Sequence, residues 1–102
     1  MQFFITAYDG KDENALERRM SVRPQHLANM ANVKETGSVV CAGGIKAEDG
    51  HPIGSVMIMD FPDRAAFDEY LKGEPYVINN VWQDIKVEVC SVVVVNDEMV
   101  GN

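Results

Sequence analysis

The sequence is poor in basic residues and has no long apolar run, and each scarcity excludes a class of protein. It contains 9 lysines and arginines against 16 aspartates and glutamates, which gives a formal net charge of −7. Nucleic acids and anionic membranes are bound through basic surface, so we expect neither as a partner. No apolar run approaches the ~20 residues that span a bilayer, and the N-terminus lacks the basic region of a signal peptide. We therefore expect a cytoplasmic protein.

Cysteine is also scarce, and the chain is short. Cys41 and Cys90 lie in valine-rich segments, which predicts buried, reduced thiols, and their spacing does not suggest a metal site. The 102 residues predict one domain, residues 1–102. A domain of this size has little room for an enclosed active site, so a second subunit is the usual way to complete a pocket.

Hydrophobic periodicity and turn signals predict the order strand, helix, strand, strand, helix, strand. The predicted strands cover residues 2–8, 38–44, 54–61 and about 85–95; the helices end at Thr36-Gly37 and at Gly73, and a single turn follows at residues 74–77. This order is typical of the ferredoxin-like βαββαβ arrangement, an α+β fold in which a four-stranded antiparallel sheet carries two helices on one face. The segment SVVVV is apolar on both faces, which predicts that a second copy of the chain covers the free face.

The first helix has polar residues on its predicted inward face. On a helical wheel Arg19, Arg23 and His26 share one arc with the apolar residues. That arc also contains Leu16, Met20, Leu27, Met30 and Val33. Inward charges are costly unless they are paired, so they indicate either a satisfied ion-pair network or a polar pocket. In a protein of net charge −7 they form a local positive site suited to a small anionic or neutral substrate.

His26 is the candidate general acid or base, because histidine both accepts and donates a proton near neutral pH. Arg23, one turn earlier, is suited to hold an anionic oxygen. A carboxylate that orients the histidine would come from Glu74, Asp9 or Asp60. The structural alternatives are a satisfied core histidine at position 26 and an ordinary solvated charge at position 74. The glycines of the central strands would let a ligand approach the sheet, and Tyr76 is either a hydrogen-bond donor to substrate or a core residue.

Several short motifs resemble the YciI-like (YCII-related) proteins. They are Arg19-x-x-x-Arg23-Pro24-x-His26-Leu27, Ala42-Gly43-Gly44, Gly54-Ser55, and Glu74-Pro75-Tyr76-Val77, where the family usually has Asp-Pro-Tyr or Asp-Pro-Phe. The resemblance covers nearly the whole chain. It implies a homodimeric α+β barrel and a pocket with a histidine and aspartate pair, in which His26 keeps the histidine and Glu74 replaces the aspartate.

The resemblance also implies a function. Similar proteins eliminate HCl from chlorinated hydroxyquinols, and related isomerases move protons on an enol-lactone, without metal or organic cofactor. We therefore expect a lyase or isomerase that acts on a small enolisable ring or lactone. The expected catalytic residues are His26 and Glu74, and the expected substrate contacts are Arg19, Arg23, Gly43, Ser55 and Tyr76. The alternatives are a non-catalytic module that binds a small molecule or serves assembly, and a cofactor-free monooxygenase.

Overall fold

The computed structural model describes residues 1–96 and 98–100, and it confirms the predicted ferredoxin-like α+β fold. The elements are β1 (Gln2–Asp9), α1 (Ala15–Glu35), β2 (Val39–Lys46), β3 (Pro52–Asp60), α2 (Arg64–Gly73), α3 (Pro75–Ile78), β4 (Trp82–Cys90), β5 (Val94–Val95) and β6 (Glu98–Met99). The four long strands, β1 to β4, form an antiparallel sheet in the order β2-β3-β1-β4, and the two-residue strands β5 and β6 pair with each other. Within the described ranges, no helix is long and apolar enough to cross a membrane.

Strand alternation decides which side of the sheet is buried. In β1, Phe3, Ile5 and Ala7 are fully buried on the helical side, whereas Phe4 and Tyr8 on the other side are 37% and 40% exposed. The buried side chains of Ser55, Met57 and Met59 in β3 continue the same layer. The helices therefore cover one face of the sheet, and the opposite face is open in the single chain.

Helix α1 is continuous from Ala15 to Glu35, with Pro24 inside it. Arg19 is buried and His26 is half-buried, as the wheel predicts, but Arg23 is exposed, and Val22, which is not on the predicted arc, is buried. The prediction was also wrong for three apolar residues that are 40–49% exposed, namely Leu16, Met20 and Leu27. The predicted inward arc is broader than the face of α1 that packs against the rest of the protein, so only part of the arc is buried.

The second helical segment ends differently from the prediction, because of Pro75. Gly73 was predicted to cap α2, but it is the last helical residue, and Glu74 takes the cap position with φ −68° and ψ 121°. The helical conformation is disfavoured for a residue before proline, so α2 ends before Glu74. The chain then forms the short helix α3 from Pro75. Glu74 therefore lies at a sharp joint between two helices.

The C-terminal strand and the cysteines also depart from the predictions. Strand β4 ends at Cys90, which pairs with Gln2 at the start of β1, so the following valines have no neighbouring strand in this sheet and leave it. They therefore give no support for a covering second copy. Both cysteines are free, as predicted, but Cys41 is exposed and Cys90 half-buried. Cys41 pairs with Ile58 on the open side of the sheet, where one chain alone provides no cover.

Candidate active site between the first helix and the sheet

A cavity of about 440 Å³ lies between α1 and strands β2 and β3. Its volume falls in the range of small-molecule sites, about 300–1,000 Å³. All seven predicted site residues except Glu74 line it directly, and they are Arg19, Arg23, His26, Gly43, Ser55 and Tyr76. A second cavity of about 350 Å³ near the start of α1 is bordered by the acidic side chains Asp9, Asp12 and Glu13. It holds none of the predicted site residues.

His26 and Glu74 form a buried pair at one end of the first cavity. Their Nδ1 and Oε1 atoms are 2.5 Å apart, and the Glu74 side chain is fully buried. An ionised carboxylate only accepts hydrogen bonds, so opposite an ionised Glu74 the hydrogen of a neutral His26 ring lies on Nδ1, and Nε2 is the acceptor nitrogen. Glu74 is thus not a solvated charge, and its carboxylate fixes the orientation of the His26 ring. The other two candidates lie elsewhere, since Asp9 pairs with Arg19 and Asp60 with the amino terminus.

Two further donors hold the Glu74 carboxylate. The Tyr70 hydroxyl donates to Oε2 at 2.8 Å, and the Tyr76 backbone N–H donates to Oε1 at 3.3 Å. Burial raises the pKa of Tyr70, and the neighbouring Glu74 charge raises it further, so this phenol remains a donor across the physiological range. The sharp Glu-Pro joint makes this possible, because it directs the Glu74 side chain back toward the first turn of α3.

The other end of the cavity is a network around Arg19. Its two terminal nitrogens donate at 2.9 Å to Asp9 Oδ1 and to Ser55 Oγ. Trp82 Nε1 donates to the same Ser55 oxygen at 3.1 Å. Burial raises the pKa of Asp9, although the Arg19 guanidinium acts in the opposite direction. Arg19 therefore belongs to the ion-pair alternative, and Trp82 contacts the site through Ser55.

Tyr76 joins the two ends. Its ring stacks on the His26 ring at a centroid distance of 4.0 Å with an interplanar angle of 9°. The Arg19 guanidinium carbon lies 4.8 Å from the Tyr76 ring centroid. Burial raises the pKa of the Tyr76 hydroxyl, and the charges of Arg19 and Arg23 lower it. The stack fixes the plane of the imidazole and so adds to the orientation that Glu74 provides.

Two cations border the cavity without an ion-pair partner among the described residues, Arg23 and Lys46. They make the cavity locally positive in an acidic protein, which favours an anionic ligand. Sequence reasoning missed Lys46, because only the antiparallel pairing of β2 with β3 brings the end of β2 beside the cavity. Among residues 1–96 and 98–100, no group of three or more histidine, cysteine, aspartate or glutamate side chains could hold a metal ion.

The glycines of the sheet have different roles. A Cβ on Gly54 would lie 2.5 Å from the Ala7 carbonyl oxygen, so Gly54 permits strand pairing rather than ligand approach. Gly43 pairs with Val56, and a Cβ there would lie 4.0 Å from Val56 Cγ1, on the open side of the sheet. Gly44 pairs with the buried Ser55 and faces the cavity, where a Cβ would meet no atom closer than 3.9 Å. Both Gly43 and Gly44 border the cavity, and Gly44 is the one at which a side chain would project into it.

Comparisons with known proteins give the family. The YCII-related domain matches residues 1–91. Protein YciI of Escherichia coli O6:H1 is 32% identical over 94 residues, which cover 86% of this chain and 94% of that protein. The family that the sequence motifs indicated is thereby confirmed.

Solved structures give the fold. The 5-chloro-2-hydroxyhydroquinone dehydrochlorinase TftG from Burkholderia phenoliruptrix AC1100, in complex with 2,5-dihydroxybenzoquinone, matches with a TM-score of 0.77 at 20% identity, covering 89% of this chain and 94% of that chain. A dimeric ferredoxin-like protein of unknown function from Jannaschia sp. CCS1 matches with a TM-score of 0.51 at 17% identity, covering 89% of this chain and 98% of that chain. With the family match over residues 1–91, this chain belongs to the family of proteins with a YCII-related domain.

Proposed function

We propose that this protein is a cofactor-independent lyase or isomerase that transfers a proton on a small enolisable ring or lactone. The observation that carries the proposal is the buried pair of His26 and Glu74, whose 2.5 Å contact leaves the second imidazole nitrogen free at a cavity. A histidine held in this way is suited to general acid and base catalysis. The fold shared with a dehydrochlorinase is consistent with the proposal, although at 20% identity that likeness concerns the fold alone.

In the proposed mechanism His26 Nε2 takes a proton from the substrate, and Glu74 stabilises the imidazolium that results. The electron pair of the broken bond moves into the ring and places negative charge on an oxygen, which Arg23 binds. In an elimination, chloride then leaves with its bonding electron pair, so H⁺ and Cl⁻ are lost together. In an isomerisation, the imidazolium returns the proton to another carbon of the same substrate.

Steady-state turnover of His26→Asn is the direct test. The asparagine Nδ2–H occupies the position of the imidazole Nδ1–H and still donates to Glu74, but the variant lacks the second nitrogen. We expect the rate to fall by about 10²- to 10⁴-fold, the usual contribution of a positioned acid or base. The substrates are chlorinated hydroxyquinols and enol-lactones, followed by ultraviolet absorbance and, for the chlorinated compounds, by chloride release. Unchanged turnover in the variant would remove His26 from the mechanism.

The same assay separates the two alternatives. A non-catalytic binding module would bind these compounds in calorimetry without converting any of them, and the unpaired cations Arg23 and Lys46 would suffice for that role. A cofactor-free monooxygenase would consume oxygen during turnover, which an oxygen electrode detects, whereas elimination and isomerisation consume none.

We also propose that two copies form a homodimer through the open face of the sheet. Phe4 and Tyr8 are exposed there, and Val56 and Ile58 of β3 lie beside them and are half-buried. Apolar side chains on one side of a sheet favour packing against a second sheet. Light scattering should give a dimer for the native chain and a monomer for Phe4→Glu. As a control, Ile78→Glu changes an exposed apolar residue of α3 and should leave the dimer intact; a dimeric Phe4→Glu variant would exclude this face.

A further inference from the structure

We infer that the Ser55 hydroxyl is a fixed hydrogen-bond donor to an oxygen atom of the ligand, and that Asp9, Arg19 and Trp82 are the positioning residues that set its direction. This inference rests on the proposed function for the identity of the ligand, and it narrows the ligand to molecules that present a carbonyl or enolate oxygen at Ser55.

The hydrogen bonds of Ser55 carry the inference. A serine hydroxyl has two acceptor lone pairs and one hydrogen. Arg19 Nη2 donates to Ser55 Oγ at 2.9 Å, and Trp82 Nε1 donates to it at 3.1 Å. Guanidinium and indole N–H groups only donate, so neither can accept the hydroxyl hydrogen. Both lone pairs are therefore used, and the hydrogen must point in the remaining direction.

In the part of the chain that the structure describes, no acceptor receives that hydrogen. Ser55 is only 3% exposed, so bulk water does not satisfy it freely, and a buried donor without an acceptor is costly. Ser55 lines the same cavity as His26, Arg23 and Tyr76. A ligand in that cavity is thus the group placed to accept the bond.

Asp9 acts through Arg19. Its Oδ1 accepts from Arg19 Nη1 at 2.9 Å, so the planar guanidinium is held at both terminal nitrogens, by Asp9 on one side and Ser55 on the other. Arg19 is 6% exposed, and the Tyr76 ring lies against it at 4.8 Å. The guanidinium therefore has little freedom to release the Ser55 oxygen.

This arrangement selects ligands by polarity. A carbonyl or enolate oxygen accepts the Ser55 hydrogen, whereas an ammonium or other donor-only group meets another hydrogen and is rejected. Arg23, also at the cavity, has the same preference. The ligand oxygen at Ser55 should be the one that gains negative charge when His26 removes the proton, because a hydrogen bond to a charged acceptor is stronger than one to a neutral acceptor.

Neutron diffraction from deuterated crystals of the unliganded protein tests the geometry without any ligand. We expect the deuteron on Ser55 Oγ to point into the cavity, with deuterons of Arg19 and Trp82 directed at Oγ. A Ser55 deuteron directed at a protein acceptor would overturn the inference. This result does not depend on whether the proposed reaction occurs.

Calorimetric binding of 2,5-dihydroxybenzoquinone then tests the ligand contact. Ser55→Ala should weaken binding by about ten- to hundredfold, as expected for loss of a hydrogen bond to a charged group. Ser55→Thr keeps the hydroxyl and should rescue most of the affinity, and Trp82→Phe should have an intermediate effect because it frees one lone pair. Equal affinities of Ser55→Ala and the native protein would overturn the ligand contact. If the native protein does not bind this probe, the proposed ligand class fails, while the neutron result still decides the direction of the hydroxyl.

Discussion

The cavity has a buried acid and base pair at each end, and the two pairs are built differently. Glu74 has both carboxylate oxygens bonded, with donors from His26, Tyr70 and the Tyr76 backbone. Asp9 has one oxygen bonded to Arg19, while its Oδ2 is buried and has no hydrogen-bond partner among residues 1–96 and 98–100. Burial of an unsatisfied oxygen disfavours the charged form of Asp9, which agrees with its raised pKa.

The difference separates two roles. The base beside Glu74 is an imidazole, a group that exchanges protons near neutral pH. Both oxygens of the Glu74 carboxylate accept hydrogen bonds. The base beside Asp9 is a guanidinium, which stays protonated in proteins, so that pair can position groups but cannot exchange protons through the arginine. The fully supported pair is therefore suited to proton transfer, and the other to holding Ser55.

The largest expected effect comes from breaking the supported pair. Glu74→Ala removes the acceptor for three donors, two of them from side chains, and leaves His26 without its orienting carboxylate. We expect the free energy of unfolding to fall by about 3–5 kcal/mol, because three donors lose a buried acceptor at about 1–3 kcal/mol each. Urea denaturation at a fixed protein concentration measures this.

Glu69→Ala is the matched control, because Glu69 lies on the exposed side of α2 and its carboxylate is 3.8 Å from Lys72. It should change the stability little. A loss in Glu74→Ala no larger than in this control would mean that the three hydrogen bonds contribute nothing net.

Breaking the other pair should cost less. In Asp9→Asn the amide oxygen still accepts from Arg19, and the position of Oδ2 already lacks a partner in the native protein. In the same urea experiment we expect the free energy of unfolding to fall by about 1–3 kcal/mol, the range for a disturbed buried hydrogen bond. A loss equal to that of Glu74→Ala would show that unequal hydrogen bonding is not what distinguishes the two pairs.

Much of this arrangement could be predicted from local sequence. The element order and the short turn that contains Pro75 follow from turn chemistry and periodicity, and the structure confirms both. The N-cap of α2 is local in the same way, since Asp63 Oδ1 accepts from the Ala66 N–H at 2.8 Å. Such features depend on residues within one or two turns of each other.

The features that were missed depend on strand register. Lys46 reaches the cavity, and the position of Gly44 faces it, because β2 pairs with β3 with register shifts between Val39 and Cys41 and between Ile45 and Lys46. A shift of one residue moves every side chain to the other face, and the sequence of β2 does not specify where the shift occurs. Trp82 likewise meets Ser55 only through tertiary packing.

Two aspartates, Asp9 and Asp12, should make smaller contributions to stability, and these should change with pH in opposite directions. The raised pKa of Asp9 means that the folded protein binds this proton more tightly than the unfolded chain. The stability of the native protein relative to Asp9→Asn should therefore fall as the pH rises above about 4 through the raised pKa. The pKa of the exposed Asp12 is lowered by Arg18 from the usual 3.8. Relative to Asp12→Asn, the native protein should gain stability as the pH rises toward 4, and slopes of the same sign in urea titrations would contradict this assignment.

The smallest effect on stability is expected at the cavity wall formed by β2, where two substitutions locate the ligand. Gly44 pairs with Ser55, near the Arg19 end, and Ala42 pairs with Met57 further along the same face. Both residues are exposed, and a valine at either position suits an edge strand, so the midpoint of thermal unfolding should change little. If the ligand contacts Ser55, Gly44→Val should weaken binding of 2,5-dihydroxybenzoquinone more than Ala42→Val does. If calorimetry shows that Ala42→Val weakens binding more than Gly44→Val does, the ligand lies away from Ser55. Each added side chain occupies only the space beside the residue it pairs with, Ser55 for Gly44 and Met57 for Ala42.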